Sequence, residues 1–201
     1  MLRWSLLAGA YASMAALAFG VSELWLGRSV WTYPSPWLRL PTAVAHLYSL
    51  AFGVALGALV IVITRRLVER FAWAQELARA LRPFARDLSG TAIVIVALLS
   101  SVGEELLFRG LLQPGLGLWV QALLFGFVHQ MRGPSRWAWV GWASVVGLLF
   151  GVVFAATGSL LGPIAAHALI NGFNLNYLQN HDPEPPPGRG LGGLLGQRSR
   201  A

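Results

Sequence analysis

Ser101-Val-Gly-Glu-Glu-Leu-Leu-Phe-Arg109 places three charged side chains inside an apolar run that extends from about Ser89 to Gln113. An ionised group at bilayer depth costs a few kcal/mol, about 2.5–3.5 per residue on insertion scales, so such groups mark functional sites by default. The run therefore predicts a membrane-embedded helix that carries a functional site.

Helical geometry gives the two glutamates of this run different partners. Glu105 and Arg109 are four residues apart, so they can pair on one helix face. Glu104 points about 100° away from Glu105 and has no evident partner on its own helix. We interpret Glu105–Arg109 as a structural pair and Glu104 as the chemical group. The alternative is that all three charges serve only to fix helix packing.

The composition is that of a membrane protein. The 201 residues are 56% hydrophobic and 11% charged, with a mean hydropathy of +0.60, whereas a soluble domain carries about 25% charged residues. We expect an all-α, polytopic helical bundle. Cysteine is absent, which excludes disulfides, thiolate nucleophiles and Cys-ligated metals. There is no Ser-His-Asp pattern, phosphate-binding loop or nucleic-acid motif, so we expect no nucleic-acid partner.

The sequence divides into a membrane domain, residues 1–180, and a Pro-, Gly- and Arg-rich tail, residues 181–201, which is predicted to be disordered. The N-terminal apolar run is long for a signal peptide and lacks a clear cleavage site, so we expect a retained span. One amphipathic helix is predicted at the membrane surface over residues 65–87. Six spans are predicted at residues 4–26, 42–64, 89–113, 118–131, 137–157 and 162–179.

The arginines set the expected orientation. Six of the fifteen lie in residues 65–87, which the positive-inside rule places in the cytoplasm. Twelve arginines then lie on the inner side and two on the outer side. The sequence therefore predicts a multi-pass protein of the cell (inner) membrane with both termini in the cytoplasm.

Polar residues in the later spans fall at one depth. His129 is as far after the turn between Leu116 and Gly117 as Glu104 is before it, so both lie about 19 Å from that turn in a straight antiparallel hairpin. His167 and Asn171 share one face of span six, at about 13 and 19 Å from the turn before it. A single buried histidine or asparagine is often only a packing hydrogen bond, but four polar groups in one layer predict a shared site.

Such a site could activate water. An apolar environment makes a carboxylate a better base, so Glu104 could take a proton from a water that His129 also holds. His167 and Asn171 could then donate hydrogen bonds to the oxyanion formed on a peptide carbonyl. Alternatively, Glu104, His129 and His167 could ligate a zinc ion and leave a fourth position for water.

The motifs Glu104-Glu105-x-x-x-Arg109, Phe125-x-x-x-His129 and His167-x-x-x-Asn171 resemble, in this order, those of the CPBP family of intramembrane proteases, also called the Abi or CAAX prenyl protease-like family. The resemblance covers residues 89–179. It implies a helical membrane fold, endopeptidase activity and a membrane-associated protein or peptide as substrate. It also implies that Glu104 is the base, that His129 shares its water, and that His167 and Asn171 stabilise the oxyanion. Arg109 and Phe125 would support them.

Three other functions compete with a metal-independent protease. The same site could require zinc. The protein could be a non-catalytic membrane immunity protein or scaffold. It could also be a small transporter in which Glu104 and the histidines relay protons, although no internal repeat of the kind found in transporters is present.

Overall fold

The computed structural model describes residues 2–181, with side chains from residue 6 onward. These residues form seven α-helices, two of which continue as π-helical segments. The α-helices are α1 Leu2–Phe19, α2 Thr42–Arg70, α3 Ala72–Ala85, α4 Gly90–Glu105, α5 Gln113–Val128, α6 Arg136–Thr157 and α7 Leu161–Asn180. The π-helical segment Gly20–Trp25 continues α1, and the π-helical segment Leu106–Leu112 continues α4. The predicted disordered tail falls almost entirely on residues 182–201, outside the described residues.

The predicted hairpin between spans three and four is formed by α5 and by the end of α4 with its continuation, Leu106–Leu112. Gly117 breaks the helical backbone with φ 82° and ψ 170°, a conformation that glycine adopts without steric cost. Phe108 and Phe125, which are equally far from this turn in sequence, meet edge to face with ring centroids 5.1 Å apart. The hairpin therefore places matching positions of its two arms side by side.

The boundary between span two and the surface helix was predicted incorrectly. Helix α2 continues to Arg70, and the amphipathic helix is α3, Ala72–Ala85, rather than residues 65–87. No proline or glycine lies between Thr64 and Phe71, and the helical backbone first ends at Phe71, which is extended (φ −125°, ψ 128°). Arg65 lies on α2, and its guanidinium donates to the Phe173 carbonyl of α7 at 2.8 Å.

The fold-class prediction of a membrane helical bundle is confirmed. Within the described part of the chain there is no β-strand, and only one isolated bridge, Thr32–Ser159, forms. Among residues 2–181, four helical stretches are long and apolar enough to cross a membrane: Leu6–Trp25, Thr42–Arg70, Gly90–Val128 and Arg136–Thr157. The third contains the hairpin, and therefore both predicted spans three and four. Helix α7, predicted as span six, is not among the four because a histidine and several asparagines interrupt its apolar sequence.

Helix α7 lies against α2, α3, α4 and α6, so its polar face is enclosed by the bundle. Its first turn touches α2 at two glycines: a Cβ added at Gly53 would overlap the Gly162 backbone. The Gly162 N–H donates to the Ser49 hydroxyl at 2.9 Å, and that hydroxyl donates to the Ser159 carbonyl at 2.7 Å. This close crossing fixes the position of α7 and therefore the height of His167.

Candidate active site

The centre of the bundle holds a buried cluster of charged groups. Arg109 donates from Nη1 to Glu105 Oε1 at 2.9 Å, and both side chains are 0% exposed. His167 donates from Nδ1 to the same oxygen at 2.8 Å. An unpaired buried charge is costly, whereas a paired and hydrogen-bonded one is tolerated. The second glutamate of the first motif therefore links the arginine of its own helix to the histidine of α7.

Arg109 is held further by helix α6 and by aromatic rings. Its Nη2 donates to the Gly147 carbonyl at 3.0 Å, and its guanidinium lies 4.2 Å from the centroid of the Phe125 ring. One turn along, the Gln113 amide donates to the Gly151 carbonyl at 2.9 Å. Gln113 and the two glycines were not predicted from the sequence. Gln113 follows Arg109 by four residues in an apolar run, and this spacing is a signal that could have identified it.

Glu104 and His129 meet on the adjacent side of the cluster. Glu104 is buried, and its Oε2 lies 3.5 Å from His129 Nε2. His129 Nδ1 is 2.7 Å from the Phe125 carbonyl oxygen. A carbonyl can only accept, so Nδ1 carries the proton and the Nε2 of the neutral ring is an acceptor. Glu104 Oε2 has no hydrogen-bond partner among the described residues.

A tyrosine of the first helix lies in the same cavity wall as Glu104. Tyr11 and Glu104 both line this cavity. The backbone of Tyr11 lies against Gly103, where an added Cβ would meet the Tyr11 carbonyl oxygen at 2.8 Å. Tyr11 was not predicted from the sequence. A tyrosine in the middle of a span, away from the interface where tyrosines are enriched, is a weak signal, and Glu104 lies 93 positions away on another helix.

The remaining candidate, Asn171, lies one turn beyond His167 on α7. Its side-chain amide donates to the Ser100 hydroxyl at 3.0 Å. One N–H is engaged in this bond, and the amide has a second. The structure therefore brings together the four sequence-predicted residues, and it adds Ser100 as the group that orients the asparagine.

All four predicted catalytic side chains lie in the wall of one cavity of about 290 Å³. Tyr11, Ser100 and Phe125 line the same cavity. The rest of the wall is mainly apolar, and helix α3 contributes Trp73, Leu77 and Leu81 to it. A mainly apolar cavity with a few convergent polar groups is the usual form of a site for a small ligand or substrate segment. The surface helix thus forms part of the site, which its sequence pattern did not predict.

The alternative zinc set was also compared with the structure. Among residues 2–181, no group of three or more histidine and acidic side chains has the geometry to hold a metal ion. Glu104, His129 and His167 are therefore neighbours in one cavity without forming a three-ligand set.

Comparison with known proteins gives two matches and one negative result. Residues 87–173 match the family model described as type II CAAX prenyl endopeptidase Rce1-like. The chain is also 37% identical over 79 residues to the uncharacterized protein YpbD of Bacillus subtilis (strain 168), an alignment that covers 39% of this chain and 41% of that protein. The chain thus spans less than half the length of this relative. No solved structure matches this chain.

The family match extends from the last residues before α4 to the middle of α7, so it contains all three motifs and leaves out helices α1, α2 and α3. It supports peptide-bond hydrolysis at the level of the family. The resemblance to the CPBP, CAAX prenyl protease-like family is therefore confirmed, and residues 87–173 are the part of the chain that carries it.

Proposed function

We propose that the protein is an intramembrane endopeptidase that hydrolyses a peptide bond of a membrane-associated protein or peptide, with water activated by Glu104. One observation carries the proposal: the buried, unpartnered Oε2 of Glu104 faces the Nε2 of His129 at 3.5 Å. The family match to an endopeptidase over residues 87–173 supports the reaction class.

The geometry favours a water molecule beside these two atoms. Ionised Glu104 Oε2 and neutral His129 Nε2 are both acceptors, so they cannot bond to each other. A water can donate one hydrogen to each, which leaves its lone pairs available for attack on a carbonyl carbon. Orientation of the nucleophile before reaction lowers the barrier because little entropy remains to be lost in the transition state.

The proposed hydrolysis has two steps. As the water oxygen forms a bond to the carbonyl carbon, its proton passes to Glu104 Oε2 and the carbonyl electrons move onto oxygen. Glu104 then gives this proton to the amide nitrogen, the C–N bond breaks with its electrons passing to nitrogen, and the carbonyl re-forms. The products are one carboxyl and one amino terminus, and Glu104 is ionised again. One residue thus serves as base and then as acid.

Asn171 and His167 are proposed to stabilise the oxyanion. Asn171 has a second amide N–H beyond the one given to Ser100. The Nδ1–H of His167 donates a hydrogen bond to Glu105. A neutral ring has no second N–H, so His167 can donate from Nε2 only as an imidazolium. With Glu104 and Glu105 ionised, and Arg109 and this imidazolium positive, the four charges sum to zero, which suits a buried site. Loss of one oxyanion donor typically costs about 2.7–4 kcal/mol in the transition state.

The lining of the cavity supports a proposal for the side from which substrate approaches. The end of α2 (Thr64, Leu67) and α3 (Trp73, Leu77) contribute to its wall. These segments adjoin the arginine-rich region that the positive-inside rule places in the cytoplasm. We therefore propose a cell (inner) membrane protein with cytoplasmic termini, which receives its substrate from the cytoplasmic half of the bilayer.

The decisive experiment compares membrane-protein termini in cells that express the wild type, Glu104→Gln or Glu69→Gln. Glutamine keeps the shape of Glu104 but cannot take the proton. Glu69 is an exposed partner of Arg66 and serves as the matched control. Termini generated by the wild type and by Glu69→Gln should be absent with Glu104→Gln, which should fold normally. Unchanged termini in the Glu104→Gln cells would remove the proposal.

Two further measurements address the alternatives. The proposed steps do not use zinc, because the neighbouring side chains within residues 2–181 do not form a metal-binding set. Metal analysis of the purified protein, together with chelator inhibition that zinc reverses, would identify a zinc-dependent enzyme. A non-catalytic immunity protein or scaffold would keep its function in a Glu104→Gln, His129→Ala double variant.

A further inference from the structure

We propose that Asn174 is a substrate-binding residue of the same cavity: its side-chain amide donates a hydrogen bond to a backbone carbonyl of the substrate close to the scissile bond. This inference rests on the proposed function. Asn174 follows the last residue of the segment that matches the endopeptidase family, so no motif of that segment accounts for it.

Asn174 extends the polar face of α7 that carries His167 and Asn171. With 3.6 residues per turn, the three side chains fall within an arc of about 60°, and Asn174 lies about 4.5 Å beyond Asn171 along the helix axis. All three line the cavity that holds Glu104. An extended peptide advances about 3.3 Å per residue. A substrate chain that lies along α7 would therefore bring to Asn174 a peptide unit that is about one or two residues from the scissile bond.

The Asn174 amide is not used to hold the bundle together. Its Oδ1 is buried and has no hydrogen-bond partner within residues 2–181. The residue as a whole is only partly buried, so Nδ2 is the accessible end of the amide, and it carries two N–H donors. Asn171, in contrast, gives one N–H to Ser100. An asparagine that served packing would satisfy its amide within the bundle, whereas free donors in a mainly apolar cavity are suited to a ligand.

Arg65 of α2 fixes the turn of α7 that carries Asn174. Its guanidinium donates to the Phe173 carbonyl at 2.8 Å, and its Cζ lies 3.6 Å from the centroid of the Tyr177 ring. A cation over an aromatic face is a favourable contact. The two residues that Arg65 contacts lie on either side of Asn174 in sequence. The amide is therefore presented from a backbone that is already held, which reduces the entropy lost when substrate binds.

The proposed bond requires an extended substrate segment. In a regular helix each interior carbonyl already accepts from the N–H four residues later, and only the last four carbonyls are free. A helical membrane segment would have to end or unwind beside the scissile bond before Asn174 could bind it. Because the contact is to the backbone, it selects the conformation of the substrate rather than a particular side chain.

The kinetic test uses Asn174→Leu, which keeps the size of the side chain and removes its donors. The probe is a peptide that spans the cleavage site identified by the termini lost in Glu104→Gln cells. KM should rise by about 3- to 10-fold, the size expected for one hydrogen bond, with kcat nearly unchanged because ground state and transition state lose the same contact. Asn174→Ala, which cannot clash, should show the same rise. Asn176→Leu, at an exposed position of the same helix, is the control and should leave KM unchanged.

Substrate analogues identify the peptide bond that Asn174 contacts. Each non-scissile peptide bond of the probe is replaced in turn by a trans alkene, which keeps the shape but has no hydrogen-bonding atoms. In the wild type, one replacement near the scissile bond should raise KM by about 3- to 10-fold. The same replacement should cost about twofold or less in Asn174→Leu, because coupled residues are not additive. Equal effects in the two proteins for every analogue would overturn the proposal.

Thermal unfolding gives a readout that needs no substrate. Asn174→Leu removes a buried acceptor that has no partner, and such an acceptor is destabilising. Its melting temperature should therefore rise by about 2–4 °C. A lower melting temperature would show that the amide serves packing, which contradicts the proposal.

The outcomes separate this inference from the proposed function. Unchanged KM in both Asn174 variants, with Glu104→Gln inactive, would remove the role of Asn174 and leave the protease proposal standing. Unchanged termini in Glu104→Gln cells would remove the protease proposal and, with it, the peptide substrate assigned to Asn174.

Discussion

His167 donates from Nδ1 to Glu105 Oε1 over 2.8 Å, so the third motif is held in place by the second glutamate of the first. The same oxygen also accepts from Arg109 at 2.9 Å. The adjacent glutamates thus have separate tasks in the fold: Glu105 joins two helices through a fully buried ion pair, and Glu104 faces the cavity. The orientation of the His167 ring depends on Glu105 rather than on α7 alone.

Glu105→Gln should be destabilising and should lower activity. The variant leaves Arg109 buried without its counter-charge, and breaking a buried pair by removing one partner typically costs about 3–5 kcal/mol. The His167 ring would also lose its charged acceptor. Thermal unfolding in detergent measures the first effect. Cleavage of a fluorogenic peptide, copied from a terminus that disappears in Glu104→Gln cells, measures the second. The exposed Glu69→Gln should change neither, and a normal melting temperature in Glu105→Gln would contradict a structural role for the pair.

Ser100→Ala should impair catalysis more than Ser101→Ala. Both hydroxyls donate to the Ala97 carbonyl, but only Ser100 also accepts from Asn171. Loss of this neutral hydrogen bond should free the Asn171 amide and lower kcat by about 2- to 10-fold. Thermal unfolding of both variants separates the loss of stability from the loss of kcat. Equal kcat values would show that Ser100 does not orient the asparagine.

Gly147→Ala should destabilise the packing of α6 against the hairpin. The added Cβ would lie 2.8 Å from Phe125 Cδ1 and 3.1 Å from Arg109 Nη2, and overpacking of this kind costs about 1–3 kcal/mol. Gly141, on the same helix, has nothing within 4 Å of an added Cβ. Gly141→Ala should therefore leave thermal stability unchanged or slightly higher. Similar melting temperatures for the two variants would contradict the tight fit around Arg109.

The sequence predicted the parts of the site that depend on helical spacing. Four-residue spacing paired Glu105 with Arg109, and equal distance from a glycine turn put Glu104 and His129 at one level. These predictions work because the rise and the turn of a helix are fixed. The end of α2 was misplaced by six residues because an amphipathic pattern continues through a helix as readily as it begins one, and only the extended backbone of Phe71 separates the two helices.

Contacts between helices distant in sequence could not be predicted. Four-residue spacing places His167 and Asn171 on the same face of α7. It does not indicate that the His167 imidazole contacts Glu105 or that the Asn171 amide contacts Ser100. The rotation of each helix about its axis decides such contacts, and close approach at Gly53, Gly103 and Gly147 sets that rotation. Tyr11 was missed for this reason, and so was the contribution of α3 to the cavity wall.

Ala74→Phe should block the cavity without disturbing the charged cluster. Ala74 is a buried residue of α3 that lines the cavity, so a phenyl ring there would occupy space proposed for the substrate. KM for the fluorogenic peptide should rise by about tenfold, which corresponds to about 1.4 kcal/mol of lost binding, while kcat stays similar because ground state and transition state lose the same contact. Ala72→Phe, on the exposed side of α3, is the matched control. A normal KM in a correctly folded Ala74→Phe would show that substrate does not occupy the space beneath α3, and the access route would then have to lie elsewhere in the bundle.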